Sequence, residues 1–240
     1  MNNSKEYFKT INQDELFASI ESDGFAFLPP INELDCFAEV KTKAKSELQD
    51  LTYKENSNAH LMLEESISLK SIFEPALLRY ARESLGYKGS PSNKYKISRH
   101  VKPGKSSEAY RSHFDSHIYT IVFPISIPIT SDPDLDGSLV AMPNLRKDTS
   151  IDILNIAQKA YYKRYANKKG LENLMNKNSG FMNVKFHDYR PLLFLGRTTF
   201  HCNYPLSNDS ESSRITFLSH FYDRDSSISI GNILRKIRNR

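Results

Sequence analysis

The sequence predicts an α+β fold in which a helical first third precedes strands that close into a barrel or sandwich. Two patterns carry this prediction. Before Gly89 the apolar residues recur at helical spacing, and after it they alternate or form short runs rich in β-branched and aromatic residues. A polar helical stretch over about residues 148–178 interrupts the strands. We therefore expect a barrel with helices before it and one helical insertion within it.

The first third is predicted to hold three helices and one short strand. Apolar side chains recur every three or four residues, which places them on one face of a helix. The helices are expected over residues 12–21, 34–51 and 61–85, the last broken or kinked near Pro75, and the strand over residues 25–28.

Four strands are predicted after residue 89, because their residue types favour extended backbone. They are expected over residues 95–99, 119–129, 192–199 and 214–222. No repeat and no Pro/Gly-rich linker divides the chain, so residues 1–240 are expected to form a single domain. Its expected parts are helices to about residue 90, a barrel over about 91–225, the insertion, and a basic tail over about 226–240.

Composition excludes several classes of function. The formal net charge is +5, but the last seven residues contain four cations, so the body of the chain is close to neutral. We expect no nucleic-acid partner and interpret the tail as a solvated end. The longest apolar run, Tyr119 to Ile129, contains two prolines and is too short to span a bilayer. With no apolar leader and two cysteines that make no disulfide framework, the expected location is the cytoplasm.

The tripeptide His113-Phe114-Asp115 is the first of three chemistry-bearing elements. On a strand, residues two apart share one face, so the imidazole and the carboxylate lie side by side while Phe114 faces the other layer. The second element, His201, follows a later apolar strand and is expected to meet this pair across the barrel. Two histidines and one carboxylate leave three positions of an octahedral iron ion open. A chance tripeptide and a buried, backbone-bound histidine are the structural alternatives.

Arg214 and Thr216, on the next strand, form the third element. Strand spacing places both side chains on one face. A guanidinium binds a carboxylate through two parallel hydrogen bonds, and the hydroxyl adds a further donor. Because Ile215, Phe217 and Ser219 are expected to face the core, Arg214 is expected to face the barrel cavity. A surface ion pair is the alternative, but the order and spacing of the three elements together favour a site for a metal and a carboxylate.

Three further segments extend the pattern. They are residues 22–29 (SDGFAFLP), 136–144 (DGSLVAMPN) and 191–201 (PLLFLGRTTFH). These segments resemble the DGF-x-x-LP, NG-x-L-x-x-x-PGSHK and GDLLLFHGRTLH motifs of the phytanoyl-CoA dioxygenase-like branch of the iron(II)/2-oxoglutarate oxygenases. The resemblance covers most of the chain, from about residue 15 to 222.

The resemblance implies a fold, a metal and a reaction. The implied fold is a double-stranded β-helix, a jelly-roll or cupin-like barrel with N-terminal helices packed on one side. Iron(II) would be bound by His113, Asp115 and His201, and the co-substrate 2-oxoglutarate by Arg214 and Thr216. O2 would be consumed, succinate and CO2 released, and an unactivated C–H bond of a small molecule hydroxylated, with an amino acid or a natural-product intermediate as the expected substrate. An oxygenase acting on a protein or nucleic acid, and a barrel that only binds a ligand, remain alternatives.

The sequence also departs from the family motifs. Phe200 separates Thr199 from His201, where the family often has the histidine directly, and residues 143–147 (PNLRK) replace the PGSHK element. The loop between His201 and Arg214 is slightly long. No ligand is lost, but these differences argue against phytanoyl-CoA itself as the substrate.

Several neighbouring residues are further candidates. His117 continues the alternation, but three same-face positions span about 13 Å of strand, so we expect it near the substrate or at the barrel rim. Tyr110 and Tyr119 are expected in the aromatic core, and Cys202 is expected to be structural. Arg197 is expected either to meet a substrate anion or to form a surface ion pair. The insertion over about 148–178 is expected to close over the substrate.

Overall fold

The computed structural model describes residues 4–104, 109–130, 132, 135–147, 152–209 and 213–223, and only the backbone of 152–156 and 159. The predicted basic tail and the first residues of the predicted insertion lie outside these ranges. Within them, no helix is long and apolar enough to cross a membrane.

Helices dominate the first third, as the apolar periodicity predicts. A 3-10 helix, Ser4–Thr10, precedes them, and Asn12 caps the first α-helix by accepting hydrogen bonds from the N–H groups of Asp14 and Glu15. The described α-helices are α1 Gln13–Asp23, α2 Phe37–Glu47, α3 Asn58–Ser66, α4 Glu74–Glu83, α5 Asp152–Lys163 and α6 Lys168–Lys177.

The break in the third predicted helix falls at Ser68 rather than near Pro75. Ser68 has left-handed backbone (φ 57°), and a π-helical turn, Leu69–Phe73, leads from it into α4. Pro75 lies in the first turn of α4, where its missing N–H removes no helical hydrogen bond. The proline therefore starts a helix and does not kink one.

Two antiparallel sheets follow. The described strands are β1 Phe25–Phe27, β2 Tyr53–Glu55, β3 Lys94–Val101, β4 His117–Ser126, β5 Leu139–Met142, β6 Met182–Val184, β7 Leu192–Leu195, β8 Phe200–Asn203 and β9 Arg214–Asp223. The large sheet has the order β1-β7-β4-β9-β3-β2 and the small sheet the order β6-β5-β8. Because the chain passes repeatedly from one sheet to the other, the sheets enclose a common interior, as in a jelly roll.

The predicted strand over residues 192–199 is shorter than expected. β7 ends at Leu195, a turn follows, and β8 begins at Phe200 in the other sheet. The turn is the segment Gly196-Arg197-Thr198-Thr199, in which a glycine and polar residues separate two apolar strands, as is typical of turns. β2, β5, β6 and β8 are absent from the predictions, since three or four residues are too few to establish a period of two.

Apolar packing defines the layers. Helices α1 to α4 cover the outer face of the large sheet, where Ile121, Phe123 and Phe217 are fully buried. A second cluster, which includes Val122 and Phe194, joins the large sheet to β5 and β6. The interior between the sheets is therefore closed by apolar side chains along part of its length.

Candidate metal centre

Three donor atoms converge where residues 113–115 meet β8. The Nε2 atoms of His113 and His201 lie 3.6 and 3.8 Å from Asp115 Oδ1, and the three ligand atoms all lie within 4.8 Å of one another. Adjacent ligands on an ion with bonds near 2.1 Å are about 3 Å apart, so small side-chain movements bring these atoms to bonding distance. Asp115 and His201 are buried, whereas the His113 side chain is 50% exposed. The donor set is thus open to solvent on one side.

Backbone carbonyls hold both imidazoles in the orientation that metal binding requires. His113 Nδ1 lies 2.8 Å from the carbonyl oxygen of Arg111, and His201 Nδ1 lies 3.2 Å from that of Thr199. Because a carbonyl can only accept, each Nδ1 carries the proton and donates it, and each Nε2 retains its lone pair. The donor set therefore fits a divalent transition metal such as iron(II).

The backbone around the first two donors differs from the prediction. His113 is not part of a strand: it forms a single antiparallel bridge, and β4 begins only at His117. The side chains nevertheless alternate as predicted. Phe114 packs into an apolar cluster, whereas its neighbours His113 and Asp115 direct their side chains to the metal centre. Extended backbone alone is sufficient for this arrangement.

The third donor, His201, is placed beside His113 by direct backbone pairing. His201 lies within β8 and is the bridge partner of His113, with a 3.0 Å backbone hydrogen bond in each direction. His113 is therefore paired directly with the edge of β8, and the two histidines do not meet across the barrel. Asp115 is fixed separately, since its N–H donates to the carbonyl of Gly196 at 3.0 Å.

The protonation states also suit a metal. Burial opposes ionisation of Asp115, but the adjacent His201 and His220 and the hydrogen bond with His113 hold the pKa of this carboxyl well below its usual range. Burial lowers the pKa of His201 to about 4. At neutral pH the centre therefore offers an ionised carboxylate and a neutral imidazole, the forms that bind metal.

Arg214 and Thr216 line a pocket at the start of β9. Both are buried, and Ser126 and Lys185 line the same pocket. Arg214 Nη1 donates a hydrogen bond to the carbonyl of Gly137, which fixes the guanidinium at the pocket wall. The alternate residues of β9 are fully buried on the helix-covered face: Ile215, Phe217 and Ser219.

No known family model and no curated protein matches this sequence. Solved structures do match. A prolyl-4-hydroxylase from Pseudomonas putida is 11% identical over 89% of this chain and 100% of its own, with a TM-score of 0.52. EvdO2 from Micromonospora carbonacea var. aurantiaca is 12% identical over 92% of this chain and 94% of its own, with a TM-score of 0.56. SnoN, a non-heme α-ketoglutarate-dependent epimerase from nogalamycin biosynthesis, is 13% identical over 90% and 87%, with a TM-score of 0.54.

The chain has the double-stranded β-helix fold. This confirms the predicted fold class, with its antiparallel sheets and its helices packed on the large sheet.

Other sequence candidates take structural positions in this double-stranded β-helix. The His117 ring is buried beside that of His220, with 5.2 Å between centroids. Tyr119 is fully buried, and Tyr110 is half-buried against the small sheet. Burial raises the pKa of the Cys202 thiol to about 11, which makes this cysteine a poor nucleophile.

Arg197 is buried, in contrast to the exposed position that a surface ion pair implies. Its Nη1 donates to the carbonyl of Ser116 at 3.3 Å, and its own carbonyl accepts from Arg146 Nε at 2.6 Å. The Arg146 guanidinium in turn lies 4.0 Å from the centre of the Phe114 ring. These contacts tie the turn after β7 to the ligand-bearing segment.

The helical insertion packs behind the metal ligands. α6 buries Leu171 and Leu174 in a cluster with Phe114 and Phe200, and the Tyr162 ring of α5 lies 5.2 Å from that of Phe114. Phe114 projects opposite to the side chains of its two neighbours, the donors. The described part of the insertion therefore supports the ligand-bearing segment from behind, and its closing over the substrate stays a prediction.

Three residues that contact Asp115 are absent from the sequence predictions: Thr120, Gly196 and His220. The sequence contains a feature that could have predicted two of them, His220 and Thr120. His220 lies six residues after Arg214 on the same strand, so alternation places it on the same inward face. Thr120 is a polar residue within an apolar run. Gly196 becomes informative only in three dimensions, because a Cβ there would lie 2.8 Å from the Asp115 Cβ.

Proposed function

We propose that this protein is an iron(II)- and 2-oxoglutarate-dependent dioxygenase that hydroxylates an unactivated C–H bond of a small molecule. The observation that carries the proposal is the donor set of His113, Asp115 and His201, in which both imidazoles present Nε2 toward one carboxylate oxygen. A barrel that only binds a ligand would have no need for these three side chains in this arrangement. The matching fold supports the same conclusion.

Each proposed role follows from a side chain's chemistry. His113, Asp115 and His201 would hold the iron, and with 2-oxoglutarate and O2 bound the metal would supply the oxidising chemistry that releases succinate and CO2. The Arg214 guanidinium would bind the distal carboxylate of 2-oxoglutarate as a planar fork, with the Thr216 hydroxyl as an additional donor. Burial of both residues strengthens these hydrogen bonds, because little water competes for them.

The substrate class is inferred from charge and from the neighbouring structures. We propose an amino acid or a natural-product intermediate, in a cytoplasmic enzyme without a nucleic-acid partner. The near-neutral body of the chain does not suit a polyanion. SnoN was solved with Fe3+, α-ketoglutarate and nogalamycin RO, whereas a prolyl hydroxylase from Trichoplax adhaerens was solved with a peptide fragment. A protein substrate is therefore the second candidate.

We also infer that, within these oxygenases, the chain is similar to the phytanoyl-CoA dioxygenase-like branch. This rests on the motifs at residues 22–29, 136–144 and 191–201. The second motif gains support from its contacts, since the Gly137 carbonyl accepts a hydrogen bond from Arg214. The changed PGSHK element argues for a substrate other than phytanoyl-CoA.

Anaerobic spectroscopy tests the proposal. Iron(II) and 2-oxoglutarate together should give a metal-to-ligand absorption band with the unsubstituted protein. His113→Ala or Asp115→Ala should abolish it, because each removes one of three protein ligands. Ser116→Ala, next to the ligands and not one of them, should keep the band. Retention of the band and of succinate formation in either ligand variant would overturn the assignment.

Screening then separates the substrate classes. Substrate-triggered succinate release should appear with amino acids or natural-product intermediates, and the product should gain one oxygen by mass. Release triggered only by peptides or proteins would favour the second candidate. If no compound triggers succinate release and iron(II) with 2-oxoglutarate gives no absorption band, the result favours a barrel that only binds a ligand.

A further inference from the structure

Two buried polar residues lie directly behind the proposed metal ligand Asp115. Thr120 on β4 and His220 on β9 are register partners in the large sheet, and both face the interior. Thr120 is fully buried and His220 is 7% exposed. Neither belongs to the donor set, and neither contacts the pocket at Arg214. Burying two polar side chains costs free energy unless each forms hydrogen bonds, so the partners of these two residues matter.

The two oxygens of Asp115 have different surroundings. Oδ1 lies 3.6 Å from His113 Nε2 and 3.8 Å from His201 Nε2. Oδ2 accepts a hydrogen bond of 2.5 Å from the Thr120 hydroxyl and lies 3.6 Å from His220 Nδ1. Oδ1 therefore faces the two histidine donors, and Oδ2 is held by the Thr120 hydroxyl.

The direction of the hydrogen bonds can be worked out from the proton count. The Thr120 hydroxyl lies 2.9 Å from His220 Nδ1 and 2.5 Å from Asp115 Oδ2. A hydroxyl has one proton, and an ionised carboxylate can only accept, so that proton goes to Asp115. His220 Nδ1 must then be the donor to Thr120 Oγ1. The result is a chain of two hydrogen bonds that runs from His220 through Thr120 to Asp115.

Packing holds this chain in place. The Tyr95 ring stacks on the His220 ring with 5.8 Å between centroids and 25° between planes, and the centre of the His117 ring lies 5.2 Å from that of the His220 ring. Gly196 allows the close approach, because a Cβ there would lie 2.9 Å from Thr120 Oγ1 and 2.8 Å from the Asp115 Cβ. The imidazole and the carboxylate therefore have little freedom to turn.

We propose that Thr120 and His220 are positioning residues that determine which oxygen of Asp115 is presented to the iron. This inference rests on the proposed function. The terminal torsion of an aspartate is broad, so an untethered carboxylate can turn either oxygen, or both, toward an ion. A charge-assisted hydrogen bond to Oδ2 leaves Oδ1 alone directed at the metal side. Positions of the ion that a second carboxylate oxygen would take are then kept for the co-substrate.

Threonine substitutions test the first link of the chain. Thr120→Val keeps the shape and removes the hydroxyl, and Thr120→Ser keeps the hydroxyl. Loss of a side chain that orients a metal ligand typically costs about 10–100-fold in metal affinity. We expect Thr120→Val to weaken iron(II) binding by this amount and to shift the iron–2-oxoglutarate absorption band, and Thr120→Ser to restore both. Affinity is measured anaerobically by competition with a coloured chelator.

Tyr119→Phe is the matched control. It removes a buried hydroxyl from the neighbouring residue of β4, and this hydroxyl has no hydrogen-bond partner among the described residues. Iron affinity and the band should be unchanged. If Thr120→Val binds iron as tightly as Tyr119→Phe and with the same band, the inference is wrong.

Histidine substitutions decide the matter even if Thr120→Val fails to fold. The amide of His220→Asn can donate from near the Nδ1 position, whereas His220→Leu has similar size and no donor. Iron affinity should be higher in the asparagine variant, and equal weakening in both would overturn the inference. The proposed function fails separately, because it requires that the unsubstituted protein bind iron and 2-oxoglutarate at all.

Discussion

Gly196→Ala should damage the metal centre from a position that is not itself a ligand. The added Cβ would lie 2.8 Å from the Asp115 Cβ, 2.9 Å from the His117 carbonyl oxygen and 2.9 Å from Thr120 Oγ1. None of these atoms is the far end of a flexible side chain. The backbone of Gly196 is also fixed, because its N–H and its carbonyl both take part in hydrogen bonds with the segment that carries Asp115.

The magnitude follows from overpacking. Forcing one methyl group into a filled site costs about 1–3 kcal/mol. For a protein of this size each kcal/mol corresponds to about 2–4 °C in Tm, so we expect a fall of roughly 5 °C. Displacing Asp115 should also weaken iron(II) binding by about 10–100-fold, as for other changes around a ligand.

Thermal unfolding and chelator competition measure the two effects. Gly180→Ala is the matched control, since a Cβ there would meet only the Met142 Cε, at an ordinary distance of 3.6 Å. It should leave both quantities nearly unchanged. Equal Tm and equal iron affinity in the two alanine variants would refute the argument that Gly196 is needed for the approach of Asp115.

Two further predictions concern the co-substrate and the helix–sheet contact. Arg214→Met removes the guanidinium fork, and losing the partner of a buried charge costs about 2–5 kcal/mol, so the affinity for 2-oxoglutarate should fall roughly 30-fold or more. Titration of the absorption band measures this fall, and the affinity for iron should change much less. An unaltered affinity for 2-oxoglutarate would show that another cation binds its carboxylate. Glu64→Gln leaves Lys96 without its buried partner and should lower the free energy of unfolding at pH 7 by about 2–3 kcal/mol in urea titrations. Burial opposes its ionisation, but His60 and Lys96 lower the pKa of Glu64 from 4.5, so its stabilisation is present above that value and is lost as the pH falls through the lower folded pKa. The same loss of stability with acid in the glutamine variant would contradict this.

Local pattern predicts the long helices and strands, but neither the strands of three or four residues nor the partition of strands between the two sheets. The stripe on residues 34–51 and the β-branched run after Tyr119 each gave an element of the right type. The predicted strand over residues 192–199 ends at Leu195 in the structure, and the chain then turns and enters the other sheet at Phe200. Which of the two sheets a strand joins depends on the packing of the whole chain, so local pattern does not predict it.

The candidate site shows the same division. The spacing of His113 and Asp115 was enough to place both on one side, since extended backbone alternates whether or not it is paired. The contact of Thr120 with His220 depends on the register of two strands separated by 100 residues. Register follows from the packing of whole strands, so no local feature of either residue predicts the pair.

The bridge between His113 and His201 also has a consequence for folding. These residues are 88 positions apart, and the segment around His113 is joined to β8 by this bridge and by a 2.9 Å hydrogen bond from the Tyr110 N–H to the Asn203 carbonyl. An ion shared by the two imidazoles would act as a removable cross-link, and closing a loop of this length in the unfolded chain is worth roughly 4–5 kcal/mol by chain entropy. Chelation would release that constraint, so proteases should cut the segment around His113 before they cut the strands of the small sheet.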